Sequence, residues 1–389
     1  MCPEALIEHI DSVAKIYQSE RFPGVCIRSA YAADDTQLIS LYAEELPCEY
    51  FNLYMQREPS YLDVSHVQYN RSETKVIVLE KHPHEVIGML NIGWKYCYIN
   101  EKTDLIRYIS DLKIHPKFRR RNLLNFIFEY LKETLPKDSL VQSVIFNQHQ
   151  QLQNILYDAR PNVPASFVFD TVNICTLCYL PKPKAFENYR FEELTRSQIP
   201  SVHDFLNSLK TNYNFLPNYD FYPLVDGKHP YWRGMRLSDF YVMYNNQHHV
   251  VGIYGLWDQQ KFKQIYIGSY RSMYQYIRPF YNLFANFTLR LPCPAVGQSL
   301  NYFMLHSALC RVEDHQAFSC LLYHALRSTR MRKKDGCTLA LAESDPRAKV
   351  LKQAHYSYIQ AQHSLHSFYI NPWSVFDRRK ISYFEVSRL

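Results

Sequence analysis

Three consecutive arginines, Arg119, Arg120 and Arg121, stand between a stretch that reads as a strand and one that reads as a helix. Upstream, Ile109, Leu112 and Ile114 belong to a β-branched, apolar run that Pro116 closes; downstream, Leu124, Ile127, Phe128 and Leu131 recur at helical spacing. A loop that delivers the first turn of a helix leaves several backbone N–H groups unpaired, with the positive end of the helix dipole behind them. Arginine forks match phosphate oxygens two bonds at a time, so this loop suits a pyrophosphate. A solvated basic patch is the plainer reading. Against it, cations at a helix N-terminus are mildly unfavourable until an anion arrives.

The run Leu112-Lys113-Ile114-His-Pro116-Lys-Phe118-Arg119-Arg120-Arg121-Asn122-Leu123-Leu124 resembles the acetyl-CoA loop of the GNAT superfamily of N-acetyltransferases. The strand, the proline, the aromatic and the first arginine match the family pattern, whereas its two glycines are replaced by Asn122 and Leu124. Asn tolerates left-handed backbone, while Leu124 adds bulk. The resemblance implies acetyl-CoA as co-substrate, held by Leu112, Lys113, Ile114, Arg119, Arg120, Arg121, Asn122, Leu123 and Leu124, with Asn154 on a following helix. It implies transfer of an acetyl group to an amine of an acceptor, either a small molecule or a protein. Two catalytic roles are carried over by position. Asp111, in the strand before the loop, would accept a proton through water, and Tyr157 would protonate the departing thiolate. In a chain with 32 Tyr, a tyrosine on a helix face also reads as packing, and Asp111 also reads as a solvent-facing strand residue.

The remaining composition narrows the alternatives. At 389 residues the chain has room for two domains. Hydrophobic content of 47% and charged content of 21% fit a globular protein. A net charge of +7 suits an anionic co-substrate and carries no nucleic-acid signature. Ten cysteines lack the regular spacing of a disulfide scaffold, and Cys175-x-x-Cys178 stands without a second metal-ligating pair, so neither disulfides nor a metal site is expected. The His82-Pro-His84 and His248-His249 pieces read as solvated turns. Ser-His-Asp order, a phosphate-binding Walker loop and HExxH are all lacking. The N-terminus has no apolar signal core, and no apolar run nears the length of a membrane span. The expectation is therefore a cytoplasmic protein, monomer or homodimer, with no membrane or nucleic-acid partner.

Stepping along the chain, residues 1–23 read as an amphipathic helical extension, with Leu6, Ile10, Val13 and Ile16 on one face. Residues 24–180 carry the element order of a whole GNAT domain, ending in two apolar strands, Phe167–Val172 and Ile174–Leu180. Residues 181–188 are a Pro-containing linker. Residues 189–389 repeat the plan: Val-Val-Gly252-Ile answers Val-Ile-Gly88-Met, and the offset of 252 − 88 = 164 carries Val25 onto Tyr189. The second half is interrupted by an aromatic insertion between Gln259 and Cys293, and its loop carries Glu313 and Asp314 where an anion would need donors. Landmarks such as Glu343-Ser-Asp345-Pro346 and Tyr383-Phe-Glu385 resemble uncharacterised bacterial tandem-GNAT proteins. The expected fold is α/β, two tandem acyl-CoA N-acyltransferase domains, each a mixed, mainly antiparallel twisted sheet flanked by helices. A catalytically idle scaffold and a longer-chain N-acyltransferase are the alternatives.

Overall fold

Runs rich in Val, Ile, Tyr and Phe assemble into one continuous 14-stranded sheet, in a computed structural model that describes residues 16–43, 45–48, 50–158, 162–227, 229–271 and 273–389. The first half supplies β1 (Tyr17–Gln18), β2 (Val25–Ser29), helix α1 (Asp35–Tyr42), the hairpin β3 (Glu45–Pro47) and β4 (Phe51–Gln56), then α2 (Tyr61–Gln68). It continues with β5 (Arg71–Leu79), β6 (His82–Ile99), β7 (Lys102–Ile114), α3 (Leu123–Thr134), β8 (Val141–Phe146), α4 (Gln150–Tyr157) and β9 (Ala165–Tyr179). The second half begins with β10 (Arg190–Glu193), α5 (Ile199–Ser208), β11 (Tyr213–Asn214), β12 (Leu216–Pro217), the short α6 (Pro223–Asp226), β13 (Phe240–Tyr244) and β14 (Val250–Trp257). It ends with β15 (Gln264–Tyr270), α7 (Met273–Thr288), β16 (Tyr302–Cys310), α8 (His315–Met331), β17 (Gly336–Ala342), β18 (His355–Ser367) and β19 (Ile381–Ser382).

The strand order is β1-β2-β5-β6-β7-β8-β18-β9-β17-β16-β14-β13-β10, with β12 added beside β6. The halves exchange strands. β18, from the end of the chain, pairs antiparallel with β8 of the first half, while β9 pairs with β18 and with β17 of the second half. A division of the sequence near residue 180 is therefore not a division of the sheet. The two short strands expected at 167–180 are instead one strand, because Thr171-Val172-Asn173, which reads as a break, is paired on both edges with Gln360–Gln362 and with Leu341 and Ala342. The helical extension expected at 1–23 falls mostly outside the described residues. Its described part is strand β1, whose Tyr17 packs on Phe126 and Tyr130 of α3, while Arg21 pairs with Glu129 at 2.9 Å.

Repetition of the plan is visible at one unusual backbone feature. On β7, Asp111 has φ +53°, and the register against β6 shifts there; on β16, Ser307 has φ +50°, and the register against β14 shifts there. A single left-handed residue inside a strand is a bulge that re-aims the residues around it. The two bulges are 307 − 111 = 196 residues apart, against 164 for the glycines of the preceding strands, and the difference of 32 falls in the stretch that carries β15, α7 and their loops.

The exchanged strand β18 carries two buried histidines. His366 lies between the Ser143 and Ser166 hydroxyls, each 2.7 Å away, and burial lowers its pKa to about 4. His363, between Gln142 and Ser382, is lowered to about 3. Below their ordinary value of 6.5, the unfolded chain binds protons that the folded chain refuses, so stability falls as pH drops from 6.5 towards 4. Comparing the pH dependence of unfolding free energy in wild type and His366→Gln should show this loss reduced by on the order of 3 kcal/mol in the variant. Identical slopes would remove His366 as a cause.

Candidate functional site

The site grows from the parallel pair β7 and β8, which is hydrogen-bonded only where Arg107 and Tyr108 face Val141 and Gln142. Beyond Tyr108 the strands part, and the gap opens into a cleft of 1560 Å³ walled by Ile109–Ile114 on one side and Ser143–Phe146 on the other. The loop after β7 closes one end. Pro116–Phe118 form a single turn of 3-10 helix; Arg120 and Asn122 then adopt φ of +65° and +61°. Asn122, as the residue capping α3, takes the left-handed conformation that glycine usually supplies. Among the described residues, the amides of Arg120 to Leu124 donate to no protein acceptor, which leaves a row of N–H groups at a helix N-terminus beside the cleft.

Leu112, Lys113, Ile114, Arg119, Arg120, Asn122, Leu123 and Leu124 all line this cleft. Arg119 also donates from Nε to the Ile114 carbonyl at 3.2 Å, which holds the loop against the end of β7. Two residues named with them stand elsewhere. The Arg121 guanidinium lies over the Phe118 ring at 5.1 Å, and Asn154 is on the exposed side of α4; neither is among the described residues lining the cleft. Tyr157 also lies off the wall, with its hydroxyl 2.6 Å from the Ser364 hydroxyl of β18.

Asp111 does line the cleft, but as half of an ion pair. Its Oδ2 accepts from Arg57 at 2.6 Å and from the Tyr61 hydroxyl at 2.8 Å. Arg57 is buried against the faces of Tyr42 and Tyr61, 4.3 and 5.1 Å from their centroids. Burial and the Asp111 charge together push the Tyr61 hydroxyl pKa up, which keeps it a donor. Removing one partner of a buried pair strands the other charge, at a cost of about 3–5 kcal/mol. Asp111→Ala is therefore expected to lower the unfolding midpoint well beyond what loss of a surface charge causes. A midpoint unchanged in chemical denaturation would contradict this arrangement.

One candidate side chain escaped the sequence reading. β15 of the second half pairs antiparallel with β4 of the first, Gln264 against Gln56. Lys263 precedes the one and Arg57 follows the other, so the pairing sets a lysine from the second half beside the Arg57–Asp111 pair of the first. Lys263 lines the cleft, is partly exposed into it yet surrounded by protein, and donates to the main-chain oxygen of Leu389. Burial, with Arg57 as a neighbouring cation outweighing the Asp111 charge, lowers its pKa to about 7. No local pattern flags such a residue; the β-rich stretch around it only marks the strand that delivers it.

The corresponding opening in the second half is filled from within. β16 and β17 run parallel at Tyr302–Met304, and above that point the segment 383–389 lies between them. Ser307 N, at the bulge, donates to Glu385 at 2.8 Å, and the same carboxylate takes the Tyr219 and Tyr383 hydroxyls at 2.7 and 3.0 Å. Arg388 is buried over Tyr231, Trp232 and Trp257 and donates to His306 and to the Val67 carbonyl. Asp314 spends its carboxylate on the helix, accepting from Ala317 N at 2.8 Å. Among the described residues, no group of three His, Cys, Asp or Glu is placed to hold a metal ion.

No family model matches the sequence, and no curated protein matches it. Solved structures do. Over 95% of this chain and 91% of the other, the structure is similar to Saccharomyces cerevisiae N-myristoyltransferase with bound myristoyl-CoA, with a TM-score of 0.54 and 9% identity. It is similar, with a TM-score of 0.52 and 10% identity over 92% of this chain, to a structure containing the GCN5-related glucosamine N-acetyltransferase region of a fungal multi-domain GH3 β-N-acetylglucosaminidase; the match spans 39% of that chain's length. At such identities the likeness is one of fold. The chain has the fold of the GCN5-related N-acetyltransferases, built on one continuous sheet.

Proposed function

We propose that this protein is an acyl-CoA-dependent N-acyltransferase with one working site, the cleft between β7 and β8. The observation that carries the reading is the parting of these strands beyond Tyr108 next to unpaired amides at the start of α3. In this reading the amides of Arg120 to Leu124, with Arg119 and Arg120, hold the CoA pyrophosphate, and the edge of β7 that faces β8 from Ile109 to Ile114 lines the pantetheine arm. Bound there, acyl-CoA supplies an activated thioester. The chain supplies the rest. Lys263, neutral in part near pH 7, accepts the proton that the acceptor amine loses as its nitrogen bonds to the acyl carbon; the carbon–sulfur bond breaks, and CoA leaves as a thiolate that takes up that proton to become the free thiol. Asp111 keeps Arg57 and Tyr61 fixed beside it.

An acetyl group is one acyl group this cleft would serve. A longer chain is favoured by one specific feature: past the point where β7 and β8 join, the cleft continues under α3 along Leu131, Leu135, Val141 and Phe368. Isothermal titration with CoA, acetyl-CoA and palmitoyl-CoA, followed by thiol release with an amine library, tests both. Binding and thiol release are expected; no binding by any CoA species would leave only the idle scaffold. Tighter binding of palmitoyl-CoA than of acetyl-CoA would assign the longer chain. The acceptor is proposed only as an amine.

A further inference from the structure

Helix α7, inside the insertion of the second half, is packed with its polarity reversed. Three of its polar side chains face the protein: Asn282 exchanges hydrogen bonds with the Cys293 backbone at 2.9 and 2.8 Å, Tyr281 donates to the Leu291 carbonyl at 3.1 Å, and Arg278 reaches the Cys293 carbonyl at 3.4 Å. Its large apolar side chains face outward, while Ala285 is buried. Met273, Tyr276, Phe280, Phe284 and Phe287 follow one another at helical spacing, and Tyr276, Phe280, Phe284 and Phe287 are 79%, 69%, 63% and 81% exposed. Ile277 and Leu283 widen the stripe. A helix at a water-facing surface normally turns the other way, and contiguous exposed patches of this kind mark an interaction site.

Charge indicates what covers it. Between Asp258 and Glu313 the sequence holds no acidic residue, while it holds Lys261, Lys263, Arg271, Arg278, Arg290 and Arg311. Arg271 and Arg290 are exposed just before and just after the helix. A helix with Phe and Tyr on its outer face and exposed arginines at both ends matches a helix lying in the headgroup layer of an anionic bilayer. No described helix is long and apolar enough to cross a membrane, so the contact is peripheral.

We propose that the outward face of α7, with Arg271 and Arg290 at its ends, docks this protein onto an anionic membrane surface. The expectation from the sequence of no membrane partner rested on the lack of a spanning segment and is revised by this face. Docking is independent of the acyl-transfer reading, since among the described residues none of α7 lines the cleft. β15, which leads into the helix, is the strand that presents Lys263, so docking sets the cleft at a fixed height above the bilayer.

The test is co-sedimentation of the full chain with vesicles of phosphatidylcholine alone or mixed in equal parts with phosphatidylglycerol, at low and high salt. Wild type is expected to sediment with the anionic vesicles, less so at high salt. Phe280→Glu with Phe284→Glu should weaken this by on the order of a hundredfold, since two ring burials are lost. Arg271→Gln with Arg290→Gln should weaken it less and remove most of the salt dependence. An unchanged circular dichroism melt in both variants shows that they are folded. Sedimentation with neither vesicle overturns the proposal. So does a dimer in light scattering that the Phe280/Phe284 variant abolishes, because a second copy then covers the face.

Discussion

Lys263→Met should slow acyl transfer by about 10²–10⁴-fold while leaving CoA affinity nearly unchanged, because a positioned base contributes on that scale and this amine is assigned to proton transfer. The pH profile carries the sharper signature. A lysine lowered to about 7 accepts protons above that pH, so kcat in wild type should rise through pH 7 and level off. The variant should lose that rise. Lys263→Arg keeps a cation that does not deprotonate in this range, and should be as slow as Lys263→Met. A variant that keeps the wild-type pH profile would move the base elsewhere.

Arg119→Glu together with Arg120→Glu should reduce CoA affinity by a hundredfold or more, on the order of 3 kcal/mol, since two repulsive charges replace two attractive ones beside a pyrophosphate. Arg121→Glu alone should do much less, because that side chain stacks on Phe118 and stands off the cleft wall. Salt-dependent titrations check this: the double variant should lose most of the salt dependence of CoA binding. Equal losses from Arg121→Glu and from the double substitution would mean that the loop reorganises around the ligand.

The loop and its flanking elements could be read from the sequence because the hydrophobic period changes abruptly at Pro116. Asn122 takes the conformation of a missing glycine, and so does Arg120, which nothing in its residue type announces. Other features depend on partners far away in the chain. β9 reads as two strands until both of its neighbours are known, and the lone acid Asp111 cannot be told from a solvent-facing residue until Arg57 is seen against it. Lys263 gains its place only through the pairing of β15 with β4 from the other half. Tyr383-Phe-Glu385 stands out in the sequence, but that it fills the second opening follows only from the Ser307 bulge that receives it.

That filled opening makes the central claim countable. In one cleft the amides of a helix start face open space; in the other, Glu385 and Arg388 already occupy the gap and Asp314 holds the helix start. Calorimetric titration of the full chain with CoA should therefore give a stoichiometry of one, abolished by Arg119→Glu with Arg120→Glu and unchanged by Glu313→Gln with Asp314→Asn. A stoichiometry of two, or a single site that survives the arginine substitutions, would contradict the assignment of the working site to the cleft between β7 and β8.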